Sequence, residues 1–308
     1  MRGFKSKVAL SATLTIMLLT MALTTTAFAY GDRVVSKKKV GTIKAVQDGD
    51  VYGGYMFAFN SSGHCNVYDA SNYKLVGDFT LDKVKVLKPH SNSVCFSSRK
   101  YASSDPFPLL YCNVYNSYAD AKDRKLGTCC VYRVTKNGKK FSSKLVQVIK
   151  IGFTNDKNLW KSDGEKRPYG NFVIDTDKNL LYAFVMRNSQ KKTRFFRFKL
   201  PAVTAGTNDK TYGCKVLTLN AKDVSDKFDV GYCNCIQGCC YYAGKVLSLE
   251  GFKGSGKLKI IDLATRRVTA EYRIASLFQD QEPEMVACRN GKFRYYDVKG
   301  NAYEFRLN

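Results

Sequence analysis

Short runs rich in Val, Ile, Tyr and Phe recur from residue 40 to the end of the chain, separated by turns of Gly, Asn, Asp and Lys. Helical periodicity is almost absent between these runs. Apolar runs of β-branched and aromatic residues bounded by turn residues are typical of β-strands. The pattern therefore predicts an all-β protein.

Internal similarity among these runs indicates a repeat. The segment Gln47–Phe59 aligns without gaps to Gln237–Leu249, and Glu284–Tyr296 follows the same template. Each segment reads as a strand opened by Gln or Glu, a tight turn with Gly seven residues later, and a second strand. Self-similarity of this kind is the sequence signature of repeat architectures, among them β-propellers.

The outer strands of the unit repeat as well, because Gly63–Asp69 with Tyr73–Phe79 matches Gly256–Asp262 with Arg267–Ile274. Two further units fit the same strand order with insertions. They run from His90 through Leu109–Val114, Cys129–Val134 and Lys144–Ile151, and from Tyr169 through Leu180–Met186, Arg194–Leu200 and Lys215–Leu219. Each of these units predicts one four-stranded blade.

The last unit begins at Glu282 and contains only three strands before the chain ends. An unpaired blade edge is unfavourable, and the N-terminal run Gly41–Val46 is left over to pair beside Asn301–Arg306. We therefore predict a five-bladed β-propeller of four-stranded blades, with the N-terminal strand completing the last blade. Six blades and a pair of β-sandwiches are the alternatives, and two sandwiches would leave the repeated strand openings unexplained.

Polar residues open the strands that would line the channel of such a propeller. They are Gln47, Asn92, Asn171, Gln237 and Glu284, with His90, Tyr169 and Glu282 two residues earlier on three of the strands. Amides, carboxylates, an imidazole and aromatic rings recognise polyhydroxylated ligands by hydrogen bonds and stacking. Alternatively, these side chains bond one another and ordered water where the strands converge.

The first 29 residues resemble a secretory signal peptide. Arg2, Lys5 and Lys7 precede the apolar run Val8–Leu23, which is followed by small residues that suit cleavage after Ala29. The competing interpretation, a membrane anchor, is disfavoured by the polar residues within the run. We expect residues 30–308 to form one propeller domain that is secreted or held at the cell surface, with no membrane span after cleavage.

The formal net charge is +24, or +24 − 3 = +21 without the three cations of the first 29 residues, and it favours an anionic partner such as a wall polymer, membrane lipid, nucleic acid or an acidic glycan. The basic residues are spread along the chain and form no tract, which makes nucleic acid the weaker candidate and leaves open that the charge only keeps the protein soluble. Eleven cysteines are an odd number, so at least one cannot pair within the chain. Most lie between β-formers, where they read as small apolar packing residues.

The openings Ile236-Gln237-Gly238 and Glu282-Pro283-Glu284 resemble those of the propeller family that includes the teichoic acid biosynthesis protein C type and receptor-binding proteins of some phages of Gram-positive bacteria. The resemblance covers chiefly residues 230–308, with weaker support from His90-x-Asn92. It implies a five-bladed propeller associated with cell-wall glycopolymers, with Gln237 and Glu284 as site residues. Met285-Val286 departs from the Gly-rich continuation usual in that family, which puts a shared ligand in doubt.

These observations predict a non-enzymatic, monomeric protein that binds a cell-surface glycan or anionic polymer at the channel mouth without a cofactor. The rival is a glycoside hydrolase, because five-bladed propellers of the arabinanase type place carboxylates in the same mouth. Its candidate catalytic residues are Glu282, Glu284, Asp50 and Asp175. The sequence leaves open whether the protein is an enzyme and whether the channel holds a metal ion.

Overall fold

The computed structural model describes residues 32–44, 47–115, 125, 127–152, 170–185, 192–231 and 235–308. Its strands form five small sheets arranged in a ring, so the protein is a five-bladed β-propeller. The predicted fold class is confirmed. The proposed signal peptide lies outside the described residues.

The strands follow one another from the first blade to the fifth. Strand β1 (Val34–Thr42) belongs to the last blade. Blade 1 contains β2 (Gly49–Tyr52), β3 (Tyr55–Phe59), β4 (His64–Asp69) and β5 (Leu75–Thr80), and the short helix α1 (Val84–Leu87) leads to blade 2. Blade 2 contains β6 (Val94–Phe96), β7 (Leu110–Asn113), β8 (Thr128–Asn137) and β9 (Lys140–Ile151).

Blade 3 starts with β10 (Asn171–Asp175), β11 (Leu180–Val185) and β12 (Thr193–Lys199), after which β13 (Thr207–Asp209) and β14 (Cys214–Leu219) leave the blade before β15 (Asp226–Val230) completes it. Blade 4 contains β16 (Ile236–Tyr242), β17 (Lys245–Glu250), β18 (Lys257–Asp262) and β19 (Arg267–Arg273), followed by helix α2 (Ile274–Leu277). Blade 5 contains β20 (Pro283–Arg289), β21 (Lys292–Asp297), β22 (Asn301–Leu307) and β1.

The outermost strand of blade 3 is β15, so the sequence prediction that gave this place to Lys215–Leu219 was wrong. Strand β15 pairs antiparallel with β12, and Phe228 stacks on Phe195 with ring centroids 5.2 Å apart. Strand β14 instead runs parallel to β9 and extends blade 2. Both runs are good β-formers, and β14 covers a sheet edge that would otherwise be open.

Strand β1 closes the ring by pairing antiparallel with β22. The predicted closure is therefore confirmed, but the strand spans Val34–Thr42 and not Gly41–Val46. Its central lysines, Lys37 to Lys39, are exposed at the blade edge. Lysines at a sheet edge discourage pairing with a second chain, and this arrangement gave the strand a polar appearance in the sequence.

Three blades repeat the same inner hairpin, as the sequence alignment predicted. The turns are Gly53-Gly54, Ala243-Gly244 and Asn290-Gly291, and both residues of each turn have positive φ. Two positive φ values in a two-residue loop are the type I′ geometry, which matches the twist of paired strands and favours Gly at the second position.

The hydrophobic core lies between neighbouring blades. All ten cysteines among the described residues are free thiols, and eight are buried. Cys65, Cys112 and Cys130, for example, pack with Phe57 in one apolar cluster, as expected for small packing residues. Among the described residues, no helix is both long and apolar enough to cross a membrane.

Candidate functional site

The innermost strands β2, β6, β10, β16 and β20 surround the channel. Hydrogen bonds from Val94 N to Asp48 Oδ2 at 2.8 Å and from Phe96 N to Asp50 Oδ2 at 2.7 Å show that β2 and β6 run side by side in the same direction. We call the end where the innermost strands begin the entrance, which comprises residues 47–48, 91–93, 170–171, 236–238 and 282–284. The opposite end is the exit.

Gln237 and Glu284 occupy equivalent positions at the entrance, as the repeat predicted. In blade 4 the pairing passes from Ile236 to Gly238 with a register shift, and in blade 5 it passes from Pro283 to Met285 in the same way. Each of the two residues is thus the extra residue of a β-bulge. A bulge redirects one side chain out of the regular alternation, and bulges are common beside functional sites.

The Glu284 carboxyl group is almost completely buried, with 2% of the residue exposed, and its Oε2 atom has no hydrogen-bond partner. Burial, aided by the nearby carboxylates of Glu282, Asp48 and Asp297, raises the pKa of Glu284 to about 9. A carboxyl group with this pKa keeps its proton at neutral pH. The entrance of the unliganded protein therefore contains a neutral carboxylic acid.

Glu282 and Gln237 connect blades 4 and 5 at the rim of the entrance. Gln237 Nε2 donates to Glu282 Oε1 at 2.6 Å and to Gly251 O at 3.0 Å. Partial burial raises the pKa of Glu282, and the hydrogen bond from Gln237 opposes that rise. The amide of Gln237 thus holds one carboxylate in place next to Glu284.

Asp48 is the entrance residue that the sequence interpretation missed. Its side chain is completely buried, and burial raises its pKa well above the usual range against the opposing backbone N–H groups, of which that of Val94 is the strongest. It lies against Gly238, where a Cβ atom would stand 3.0 Å from Asp48 Oδ1. The repeat alignment offered a signal for this residue, because blade 1 has Asp48 at the position where blade 4 has Gly238.

The side-chain amide of Asn92 forms hydrogen bonds within the protein through both its oxygen and its nitrogen. Its Oδ1 accepts a hydrogen bond from Asn113 Nδ2 at 2.5 Å, and its Nδ2 donates to Ile236 O at 3.5 Å. Asn113, on β7, also donates to Gly170 O and was not predicted from the sequence. These bonds join blades 2, 3 and 4 and support the interpretation in which part of the polar ring serves the fold.

Asn171 and Gln47 complete the entrance from blades 3 and 1. Asn171 is buried and Gln47 is partly buried, and the amide oxygen of each lacks a hydrogen-bond partner. His90 is partly buried before blade 2, where its backbone N donates to Val114 O at 2.7 Å. Tyr169 lies outside the described residues.

Four buried oxygens at the entrance have no hydrogen-bond partner among the described residues. They belong to three blades and are Gln47 Oε1, Asp48 Oδ1, Asn171 Oδ1 and Glu284 Oε2. An unsatisfied buried polar group is rare in folded proteins and costs about 1–3 kcal/mol. A ligand or ordered water at the entrance would supply the partners that the described residues do not.

Asp50 and Asp175 do not join Glu282 and Glu284. Asp50 lies two residues beyond Asp48, which is about 7 Å along a strand, and lines an exit cavity of about 60 Å³ together with Arg289. Burial, opposed mainly by backbone N–H groups, raises the pKa of Asp50 to about 7. Asp175 ends β10 and accepts hydrogen bonds from Asp177 N and Lys178 N. The four proposed catalytic carboxylates are therefore divided between the two ends.

A larger groove of about 590 Å³ lies away from the channel, between β12 and the segment that includes β14. Its floor is apolar, and its charged residues are the cations Arg99, Lys199 and Lys222 and the acid Asp223. The groove is thus a basic surface feature, distinct from the entrance with its carboxyl groups.

Within the described part of the chain, no three or more His, Cys, Asp or Glu side chains come close enough together to hold a metal ion.

No family model matches this chain, and no curated protein matches it. Among solved structures, it is similar to the glutaminyl cyclase of Myxococcus xanthus, with a TM-score of 0.50, 10% sequence identity and coverage of 90% of this chain and 96% of that one. The PQQ-bound aldose sugar dehydrogenase of Streptomyces coelicolor gives a TM-score of 0.47 and 14% identity, over 90% of this chain and 99% of that one. The likeness is one of fold alone.

Proposed function

We propose that this chain is an exported, non-enzymatic propeller that binds a hydroxyl-rich glycan of a cell surface or cell wall at the channel entrance. The observation that carries the proposal is the set of four buried oxygens without hydrogen-bond partners. A sugar hydroxyl group can both donate and accept a hydrogen bond, so it can bond amide oxygens and protonated carboxyl groups alike. Each new bond would satisfy a buried polar oxygen.

The depth of the acceptors suits a ligand that enters end-on. Gln47 and Glu282 are partly exposed at the rim, whereas Asn171 and Glu284 are buried. A terminal sugar unit would contact the rim first and the buried oxygens next. Concave sites with a few fixed polar groups are the usual form of small-ligand sites in proteins.

The charge of the chain supports a polymer that is anionic over part of its length. The net charge of +24 attracts such a polymer over a distance of several ångströms, and the groove lined by Arg99, Lys199 and Lys222 offers it a basic contact. The entrance itself carries carboxyl groups. Attraction and selection would thus be performed by different surfaces, which agrees with the resemblance to propellers associated with cell-wall glycopolymers.

Binding of the purified protein to Gram-positive cell walls tests the proposal. Glu284→Gln and Asn171→Ala should each weaken binding roughly 5- to 150-fold, the equivalent of about 1–3 kcal/mol. The matched control is Glu271→Gln, which makes the same substitution at an exposed residue paired with Lys257 on blade 4. Unchanged binding by both entrance variants would mean that the polar ring serves only the fold.

A hydrolase is the second candidate, and the protonated Glu284 beside Glu282 is the observation that favours it. A general acid needs a raised pKa of this kind, and a second carboxylate is its usual partner in glycoside cleavage. In a hydrolase, Glu284→Gln would retain substrate binding and lose most of the turnover. The activity in the name of the Myxococcus xanthus neighbour is not transferred, because 10% identity supports the fold alone.

A further inference from the structure

The entrance contains carboxyl groups that no cation of the described chain neutralises. The charged groups that act on Glu284 are Glu282 beside it, Asp48 from blade 1 and Asp297 from β21, and all of them are acids. In the described residues, none of these four carboxyl groups forms an ion pair with Lys or Arg.

Two other buried acids among the described residues are paired with cations. Asp105 forms a 2.6 Å ion pair with Arg133, and Glu250 forms a 2.5 Å ion pair with Lys259. The chain has 50 Lys and Arg residues against 26 acids, so cations are abundant. A buried carboxylate without a counter-ion is costly, which is why burial raises the pKa of both Asp48 and Glu284. A cationic ligand would supply the counter-ion that their ionised forms require.

We propose that the group bound deepest at the entrance is a protonated amine, so that the ligand is an amine-bearing sugar or polymer. This inference rests on the proposed function and narrows its ligand class. An ammonium group has three N–H donors and a positive charge. With these donors it would bond the open oxygens of Glu284 and Asp48 and one amide oxygen, Asn171 Oδ1 or Gln47 Oε1, and its charge would stabilise the ionised form of the two carboxyl groups.

The spread of the acceptors favours an ammonium group over a metal ion. The open oxygens come from three blades and include two neutral amides, Gln47 and Asn171. Within the described chain, no three His, Cys, Asp or Glu side chains are grouped closely enough for metal coordination. An ammonium group at the end of a larger ligand can bond some of these oxygens, while neighbouring hydroxyl groups bond the rest.

The overall charge of the protein makes the proposal specific. A net charge of +24 repels amines, so general electrostatic attraction cannot produce binding of a cationic sugar. Binding of the ammonium group would also ionise Glu284, whose proton passes to the buffer. A neutral hydroxyl group requires no such proton release. Selective binding with proton release is therefore a signature of the entrance.

Three β-1,4-linked tetrasaccharides that differ only at carbon 2 provide the test: glucose with a hydroxyl group, N-acetylglucosamine with an acetamide, and glucosamine with an ammonium group. Calorimetric titration at about pH 6, where an amine keeps its proton, should show the glucosamine tetramer binding at least about tenfold more tightly than the other two. Repeating the titration in buffers of different ionisation enthalpy should reveal proton release.

Glu284→Gln should abolish the preference for the amine, and the partly exposed Glu282→Gln should weaken it, with Glu271→Gln as the matched control. Melting curves like that of the wild type establish that the variants fold. If Glu284→Gln does not fold, Glu282→Gln alone provides the test. Equal or tighter binding of a neutral tetramer would overturn the proposal of a protonated amine, but it would leave the proposal of glycan binding intact. Absence of binding by all three would count against both, and the same signal from Mg²⁺ or Ca²⁺ alone would assign the site to a metal ion.

Discussion

Asp48 occupies the space that the missing side chain of Gly238 leaves open on the neighbouring surface of the channel. A Cβ atom at position 238 would stand 3.0 Å from Asp48 Oδ1 and would overlap the backbone oxygen of Glu284. The two residues hold equivalent positions in the repeat of blades 1 and 4. One blade thus supplies a buried carboxyl group, and the other supplies the room for it, which is why the repeat departs from its template at this position.

Gly238→Ala should destabilise the protein for this reason. The added methyl group must displace the backbone of Glu284 or the carboxyl group of Asp48, and overpacking of this kind costs about 1–3 kcal/mol, or roughly 2–10 °C in Tm. Thermal unfolding followed by circular dichroism measures it. Gly138→Asn is the control, because that turn has φ near +58° and nothing within 4 Å of the added atom. A Tm equal to that of the wild type would contradict the close approach.

The unliganded protein should become less stable as the pH rises between about 4.3 and about 9, and Glu284 should be a main cause. Its pKa is about 9 in the folded protein and about 4.3 when unfolded, so between these values the folded state binds more protons. Stability therefore falls with rising pH, by at most about 1.4 kcal/mol per pH unit for one group. Glu284→Gln cannot titrate and should flatten the decline in Tm between about pH 5.5 and 8.5.

Asp48 and Asp50 contribute in the same direction, since burial raises the pKa of both. Some decline should therefore remain in Glu284→Gln. The control Glu271→Gln should follow the wild-type profile, because its carboxylate is exposed. If Glu284→Gln and the wild type declined in parallel, the carboxyl group of Glu284 would not be protonated in the fold.

The repeat in the sequence was sufficient to predict the five blades, the ring closure and the equivalence of Gln237 and Glu284, because each depends on local strand and turn patterns. The partner of β14 could not be predicted, since Cys214–Leu219 and Asp226–Val230 are both suitable strands and only tertiary packing chooses between them. The strand pattern also did not predict how far along the channel each side chain lies. Asp50 was therefore grouped with Glu284, although it lies towards the other end.

The network that joins blades 1 and 5 should make ring closure sensitive to one hydroxyl group. Tyr73 OH donates to Glu304 Oε1 at 2.7 Å and accepts from Arg294 Nε at 3.2 Å. Tyr73→Phe leaves these two charged groups without that bridge and should lower the unfolding free energy by about 1–2 kcal/mol. Denaturant unfolding provides the measurement. Tyr101→Phe, at an exposed tyrosine, should have no effect, and equal midpoints for both variants would show that the bridge is not formed.

Removal of β1, residues 34–42, should have a larger effect than any of these substitutions. The deletion exposes the edge of β22 and the apolar residues Phe305 and Leu307, which pack in the same cluster as Val34. A fall in Tm and a tendency to associate through the open edge are expected, and both are measured by thermal unfolding and light scattering. Replacing Lys37, Lys38 and Lys39 by serine is the control for the Tm, since it retains the strand and its pairing. A deletion variant with the Tm of the wild type would exclude closure by this strand.

Binding to an anionic wall polymer should weaken steeply with salt, because exposed charges act over about 8 Å at physiological ionic strength and over less as salt increases. The groove lined by Arg99, Lys199 and Lys222 is the surface to test. Lys199→Ala with Lys222→Ala should reduce both the affinity at low salt and the slope of its decline, measured by retention on purified walls.

Arg99 is left unchanged, because it donates to Leu200 O at 3.1 Å and supports the local fold. Lys37→Ala with Lys38→Ala is the charge-matched control, since it removes two exposed cations from blade 5. Equal slopes for the two double variants would make the attraction a property of the net charge, and retention that ignores salt would remove electrostatic attraction from the account of binding.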